Sequence, residues 1–315
     1  MRRKNVYLAL LCASSVACMF SSIPLSAEEE VRPVSEFLKQ REPHWRPKIV
    51  AHHQDGSPKV VLFYESDANE RPVAVKQVSF HPGGQIASEL DLVHIQESEP
   101  AFKDWKNTIV PHGLSVFYFP SGKIERVVHY DRGVLHGKMQ VFYENGLVKA
   151  EGTFKQGVRQ GKLISYFEGG EKLEESHYQD GKMVGELCRY YQNGMRMALV
   201  PYVEGVPHGN ALEWFESGAM RASYRYSNGV LHSDGSNPAV ILYNQDRAII
   251  EVQDFRSGQP VGMHIKYHDN GKESYKCSFK EGKKIGKEQF FSSRKAFRRG
   301  GVLRRSSCWQ TLEKL

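Results

Sequence analysis

Cysteine is scarce in this chain, with five in 315 residues. Cys12 and Cys18 fall among the first 27 residues, and Cys188, Cys277 and Cys308 show no CxxC spacing. Three thiols cannot all pair within one molecule, so the sequence offers neither a disulfide framework nor a cysteine-based zinc or redox motif. Long apolar runs are also missing. The only sizeable one, Val6 to Phe20, is shorter than the ~20 residues a spanning helix needs. Catalytic signatures are equally absent: there is no GxSxG elbow, no HExxH and no GxxxxGK[ST]. Asp and Glu scatter along the chain without one dense cluster, so paired-carboxylate chemistry has no privileged place. No metal, cofactor, enzymatic activity or small-molecule substrate is expected.

The amino-terminal end reads as a secretory signal. Arg2, Arg3 and Lys4 precede the apolar stretch, and small residues lead into Glu28, Glu29 and Glu30. Cleavage after Ala27 is the preferred reading; lipid attachment at Cys18, within Ser15-Val16-Ala17-Cys18, is the alternative. The protein is therefore expected to be exported, to the periplasm, the outer envelope or the medium.

Glycine is abundant, and its spacing is the main signal. Gly133, Gly157, Gly181, Gly205 and Gly229 follow one another at 24 residues, as do Gly258 and Gly282 after one step of 29. A second set runs four residues later: Gly113, Gly137, Gly161, Gly185, Gly209, Gly262 and Gly286. The third stands nine residues further on, at Gly122, Gly146, Gly170, Gly194, Gly218 and Gly271. Aromatic rings keep the same beat. Three residues before the first set lie Tyr130, Phe154, Tyr178, Tyr202, Tyr226, Phe255 and Phe279. Five residues after the second set lie Tyr118, Phe142, Tyr166, Tyr190, Trp214, Tyr267 and Phe291.

Each period reads as two strands and two turns. Lys138 to Tyr143 is a short β-branched and aromatic run, Asn145-Gly146 a hairpin turn, and Leu147 to Phe154 the returning strand. Strand alternation puts Ile164 with Tyr166, Cys188 with Tyr190, Leu212 with Trp214 and Ile265 with Tyr267 on one face. Ser165, Arg189, Glu213 and Lys266 fall on the other, which predicts one apolar and one wetter face. A lone hairpin is marginal, so neighbours must stack. The expected fold is all-β: an elongated single-sheet solenoid of about seven hairpin units, on the order of 65 Å long at ~4.8 Å per strand.

This pattern of aromatic residues and glycines, shown in full by Tyr178, Gly181, Gly185, Tyr190, Tyr191 and Gly194, resembles the MORN repeat, in particular the bacterial variant found in YwqK-type antitoxins. The resemblance covers about Pro111 to Phe291. It implies stacked β-hairpins used for protein contact and, in eukaryotic relatives, membrane contact.

The expected organisation is a signal at 1–27, an N-terminal segment at 28–58 with a short helix around Ser35 to Arg41, degenerate units at 59–110, the array at 111–292 and a basic tail at 293–315. Glu97 to Trp105 and Ser233 to Pro238 read as insertions. From Lys283 to Arg305, nine Lys or Arg face the single Glu288, a net of +8 against +7 for the whole chain. The tail residues Lys295, Arg298, Arg299, Arg304 and Arg305 are candidates for an anionic membrane surface, against the plainer reading of a solvated tail. Nucleic acid is not an expected partner of an exported protein.

Two further columns recur with the period. His112, His136, His208 and His232 stand near the turns, but neighbouring units are ~9 to 10 Å apart, too far for shared zinc ligation. They read as polar turn residues. Phe119, Tyr143, Phe167, Tyr191 and Phe215 are expected on the face opposite the apolar one and are the candidate partner surface. The functional expectation is a non-enzymatic scaffold that binds a protein. An antitoxin or immunity role and a peripheral membrane role are the alternatives.

Overall fold

A computed structural model describes residues 40–292. Across these residues run one antiparallel sheet of twenty-one strands and a single short helix. Four strands, β1 (Arg46–His52), β2 (Pro58–Ser66), β3 (Pro72–Phe80) and β4 (Ile86–His94), precede the helix α1 (Pro100–Trp105). Then come β5 (Ile109–Tyr118), β6 (Ile124–Asp131), β7 (Val134–Phe142), β8 (Val148–Lys155), β9 (Val158–Tyr166) and β10 (Lys172–Gln179). They continue with β11 (Lys182–Tyr190), β12 (Arg196–Val203), β13 (Val206–Pro207), β14 (Gly209–Trp214), β15 (Met220–Ser227) and β16 (Val230–Leu231). The last are β17 (Val240–Tyr243), β18 (Ile249–Arg256), β19 (Gln259–Tyr267), β20 (Glu273–Lys280) and β21 (Lys283–Phe290).

The sheet is a meander in which each long strand pairs with the long strands before and after it. The two-residue β13 and β16 begin interrupted strands, the first broken by a bulge at His208 and the second by the 233–238 insertion, so β12 pairs with both β13 and β14, and β15 with both β16 and β17. Among the described residues β1 pairs only with β2, and β21 only with β20. The ladder starts earlier than the sequence suggested, because β1 lies inside the 28–58 segment. The signal, the helix expected near residue 35 and the basic tail lie outside the described residues, apart from Gln40 and Arg41.

Two turn types alternate. One is a two-residue connection such as Asp180-Gly181, with φ of 49° and 79°. Positive φ at both central residues is the type I′ geometry, whose twist matches that of the strands it joins. The other is a tight turn such as Tyr143 to Gly146. There the Gly146 N–H donates to the Tyr143 carbonyl at 2.9 Å and the Tyr143 N–H to Leu147 at 2.8 Å. A bulge near the second-set glycine interrupts the pairing; in β6–β7 the register jumps from Val128↔Met139 to Tyr130↔Leu135.

Those bulges reset strand alternation, and the two faces differ from expectation. Ile164 and Tyr166 do share a face with Cys188 and Tyr190, as cross-strand pairing through Glu175 shows. The deeper row, however, lies on the face predicted to be wetter. It includes Ser115, Val128, Ser176, Leu187, Ala211, Val240, His264 and Cys277, all at most 6% exposed. The rings of the Tyr130 column stand beside this row, because all but Phe255 pair with a bulge glycine, as in Gly137↔Phe154 and Gly161↔Tyr178. His264 lies between two of them, 5.4 Å from the Phe255 ring and 4.4 Å from Phe279. Leu187, Ala211 and His264 stand two residues past the bulge glycine, in step with Arg189, Glu213 and Lys266 rather than with Cys188, Leu212 and Ile265.

The N-terminal end is built differently. Lys76, 1% exposed, places Nζ 2.8 Å from Asp91 and 3.9 Å from Glu89. Arg41 reaches Glu89 at 3.6 Å and lies 5.4 Å from the Phe63 ring, and Trp45 is buried. A buried cation must be paired to be tolerated, which these carboxylates achieve. Helix α1 covers the first turn of the regular array. Arg132 grips Glu99 through two bonds of 2.6 and 2.8 Å, and the Trp105 indole donates to the Gly133 carbonyl at 2.8 Å. Terminal units of a solenoid need such covering, since they have no neighbour on one side.

Candidate partner-binding surfaces

Along one edge of the sheet the type I′ turns form a staircase. Seven times the turn glycine donates its N–H to a carbonyl of the preceding unit, from Gly133 to Pro111 at 2.7 Å through to Gly282 to Pro260 at 3.1 Å. The residue after each glycine leans over the next glycine. A Cβ on Gly181 would lie 3.0 Å from Val158, and one on Gly229 would lie 3.5 Å from Val206. Glycine therefore serves both positive φ and close approach at Gly181. Val158, Val206 and Val230 keep exposed flanks on this edge; Val206 and Val230 follow one another, and Lys182 stands between Val158 and Val206.

The recurring histidines belong to the same edge. The Nδ1 atoms of His112, His208 and His232 accept the backbone N–H of Arg132, Asn228 and Ser257 at 3.2, 3.3 and 3.1 Å. Where the column holds Gln160, its Oε1 accepts the Asp180 N–H at 2.8 Å. His136 instead meets the Gln156 side chain at 3.5 Å. The column caps turns of the next unit. No group of three metal-ligating side chains occurs among the described residues.

The opposite edge carries the candidate aromatic column. Phe119, Tyr143, Phe167, Tyr191 and Phe215 each open a tight turn and are half-buried. The Tyr143 hydroxyl donates to the Tyr166 carbonyl, and the Tyr191 hydroxyl to Trp214, both at 2.8 Å. Lys149 lies 5.4 Å from the Tyr143 ring and Arg221 6.0 Å from Phe215. These rings thus tie units together as well as facing outward. Leu147 and Met195 beside them are exposed. Both stand one residue past a turn glycine, a signal present in the sequence but outside the aromatic columns. The other candidates, Lys295, Arg298, Arg299, Arg304 and Arg305, lie outside the described residues.

Shifted titrations follow structural partners rather than converge on one point. Glu99 is held down to about 2 by the Arg132 hydrogen bond and the Gln96 N–H. Asp234 falls to about 2 because it accepts from Asn237 and Ser236 in the 233–238 insertion. Burial, followed by the bond to Glu151, pushes Tyr166 up to about 12. Beside the insertion lies an open groove of about 850 Å³ with Val252, Asp254, Arg256 and Phe279 among its walls. It marks the one irregular step of the array. The thiols of Cys188 and Cys277 are free, Cys277 being buried.

No curated protein matches this chain significantly. Among solved structures, a porin-like protein from Bacteroides uniformis aligns over 73% of this chain and 87% of its own, at 7% identity and a TM-score of 0.19. TcdB2-TccC3-TEV aligns over 77% of this chain and 18% of its own, at 10% identity and a TM-score of 0.16. Likenesses this slight carry no inference. The family model of the MORN repeat variant matches residues 111–132 and 135–156. These two stretches cover β5 to β8, with their turns and bulges, and β9 to β12 repeat the same construction. Residues 111–132 and 135–156 are MORN-variant repeats, set in a single sheet of stacked hairpins that runs through the described residues.

Proposed function

We propose that this protein is an exported, non-enzymatic scaffold of the bacterial envelope or secreted space that holds a protein partner. The observation that carries the reading is the exposed apolar side chains of the turn edges, adjacent Val206 and Val230 with Val158 beyond Lys182 on one edge, Leu147 and Met195 on either side of Glu171 on the other. A sheet one layer thick cannot cover such residues by itself, and exposed apolar side chains on successive turns, as at Val206 and Val230, mark contact sites. Export rests on the N-terminal charge and apolar pattern. A photo-crosslinking residue at Val206 or Met195, in the native host, should give one discrete protein adduct. Absence of any adduct from either edge would sink the reading.

The charge of the C-terminal region supports a second reading, peripheral attachment to an anionic membrane, because each Lys or Arg near such a surface contributes ~1 kcal/mol. Flotation of the full chain with phosphatidylserine vesicles at low salt tests it, and failure to float removes it.

A further inference from the structure

Each unit of the array receives the next through a fixed set of contacts, and β21 presents that set with nothing placed in it among the described residues. Six bulge glycines, from Gly113 to Gly262, pair with an aromatic residue of the following strand, Tyr130 for the first and Phe279 for the last. The seventh is Gly286. Seven carbonyls, two residues before the bulge position, accept a turn N–H from the next unit. The eighth, on Lys284, has no such donor among the described residues. All residues of β21 are exposed, and Phe290 reaches 74%.

The chemistry of the missing strand can be read from the units that have one. The residue after the bulge glycine is Lys138 in one unit and Lys162 in the next. Lys138 bonds Glu151 at 3.2 Å and Lys162 bonds Glu175 at 2.6 Å. In each case the glutamate stands three residues before the aromatic that faces the glycine, Glu151 before Phe154 and Glu175 before Tyr178. Lys287 holds the same place after Gly286 and makes no ion pair among the described residues. Lys283 and Lys287 also make this edge repel basic strands, a common protection of open edges, while Lys284 is paired with Glu288.

We infer that β21 is a strand-addition site for a partner segment that enters antiparallel with the pattern Glu-x-x-aromatic. Its aromatic ring faces Gly286, its carboxylate meets Lys287, and its backbone completes the edge, which is the β-augmentation mode of peptide recognition. The other edge of this protein does not fit, because β1 carries Arg46 and Lys48. Residues 293–315 do not fit either: their seven Lys or Arg against the one Glu313 would meet the lysines of this edge with like charge. This inference rests on the scaffold reading and names the kind of partner.

The test uses a synthetic peptide with the sequence of residues 172–179, which occupies the equivalent edge of β9 in this protein. Added in excess to the full chain, it should slow amide hydrogen exchange across residues 283–291 and nowhere else. Lys287→Glu should weaken binding roughly fivefold, the scale of reversing one cross-strand charge pair. A peptide with Lys in place of its fourth residue should recover that loss on the variant. Replacing the peptide's tyrosine by alanine should abolish protection. The inference is overturned by amides of β21 already protected without peptide, by unchanged exchange on its addition, or by indifference to the tyrosine. Crosslinks at Val206 or Met195 with no response at β21 would leave the scaffold reading standing and this one fallen.

Discussion

Replacing Gly181 by alanine tests how the units are joined. Gly181 has φ of +79°, and a Cβ there would lie 3.0 Å from Val158 Cγ1. Gly194 supplies the control, with φ of +80° and nothing within 4 Å of an added Cβ. An L-residue in left-handed conformation costs roughly 1 to 2 kcal/mol, and Gly194→Ala should cost that alone. Gly181→Ala adds the displacement of Val158, about 0.5 to 1.5 kcal/mol if its side chain leaves its rotamer. It also strains the 3.0 Å bond from the Gly181 N–H to Arg159, a bond of a kind worth about 1 kcal/mol. The total is about 2 to 4 kcal/mol. Adding Val158→Ala removes the Cγ atoms and should return about 1 kcal/mol of the difference. The assay is urea unfolding followed by circular dichroism, with hydrogen exchange over residues 158–185 to locate the loss, because long arrays need not unfold in one step. Equal losses for the two glycines, or no coupling between Gly181 and Val158, would refute the view that the turns stack by contact.

His232→Ala should cost about 1 kcal/mol by leaving the Ser257 N–H without its acceptor, and His232→Gln should recover most of it, as Gln160 does naturally; urea midpoints decide. Tyr191→Phe, which removes the donor to Trp214, should lower stability by about 0.5 to 1.5 kcal/mol with little change in the circular dichroism spectrum. Glu99 has a depressed folded pKa, so its contribution is complete above its ordinary 4.5 and disappears as pH falls towards about 2. Trp105 fluorescence should therefore report release of α1 over that window, and Glu99→Gln should remove the acid step. Tyr166 has a raised folded pKa, so its contribution is present below the ordinary 10 and lost as pH rises through about 12. Glu151→Gln should move the Tyr166 ionisation to lower pH, read as the difference between the ultraviolet titrations of parent and variant, because Tyr224 and Tyr275, which are also raised, stay where they are.

Legibility of the fold in the sequence follows from the physics of turns. Positive φ leaves few residue choices, so the type I′ turns and seven of the bulges beside them left glycines, and the 24-residue period survives in the letters. Strand faces were less legible. Alternation predicts a face only until a bulge intervenes, and the repeating units carry them, as between Val128 and Tyr130. The row containing Ser115, Leu187, Ala211 and Cys277 is therefore invisible as a pattern, since its members share burial and small or moderate size but no single residue type. The N-terminal ladder is obscured for a related reason. Lys76 is a charged residue in a buried place, and only the tertiary pairing with Asp91 and Glu89 makes that position tolerable.

The contact surfaces were harder to read because repetition assigns one residue two duties. Tyr143 and Tyr191 look like anchors for a partner, yet their hydroxyls are engaged by the next unit, which leaves only ring flanks to offer outward. The histidines suggest a metal ladder, yet they serve as acceptors for turn N–H groups, a task that Gln160 performs as well. Any column present in every unit is first required by the contact between units. What is left over for partners must come from positions the stacking does not exhaust: the valine flanks beside the turn glycines, the exposed Leu147 and Met195, and β21, where the series of contacts stops among the described residues. At β21 the same rules that close each inner unit specify what an incoming strand must carry, so this edge is the place where the assembly chemistry of the array turns into recognition.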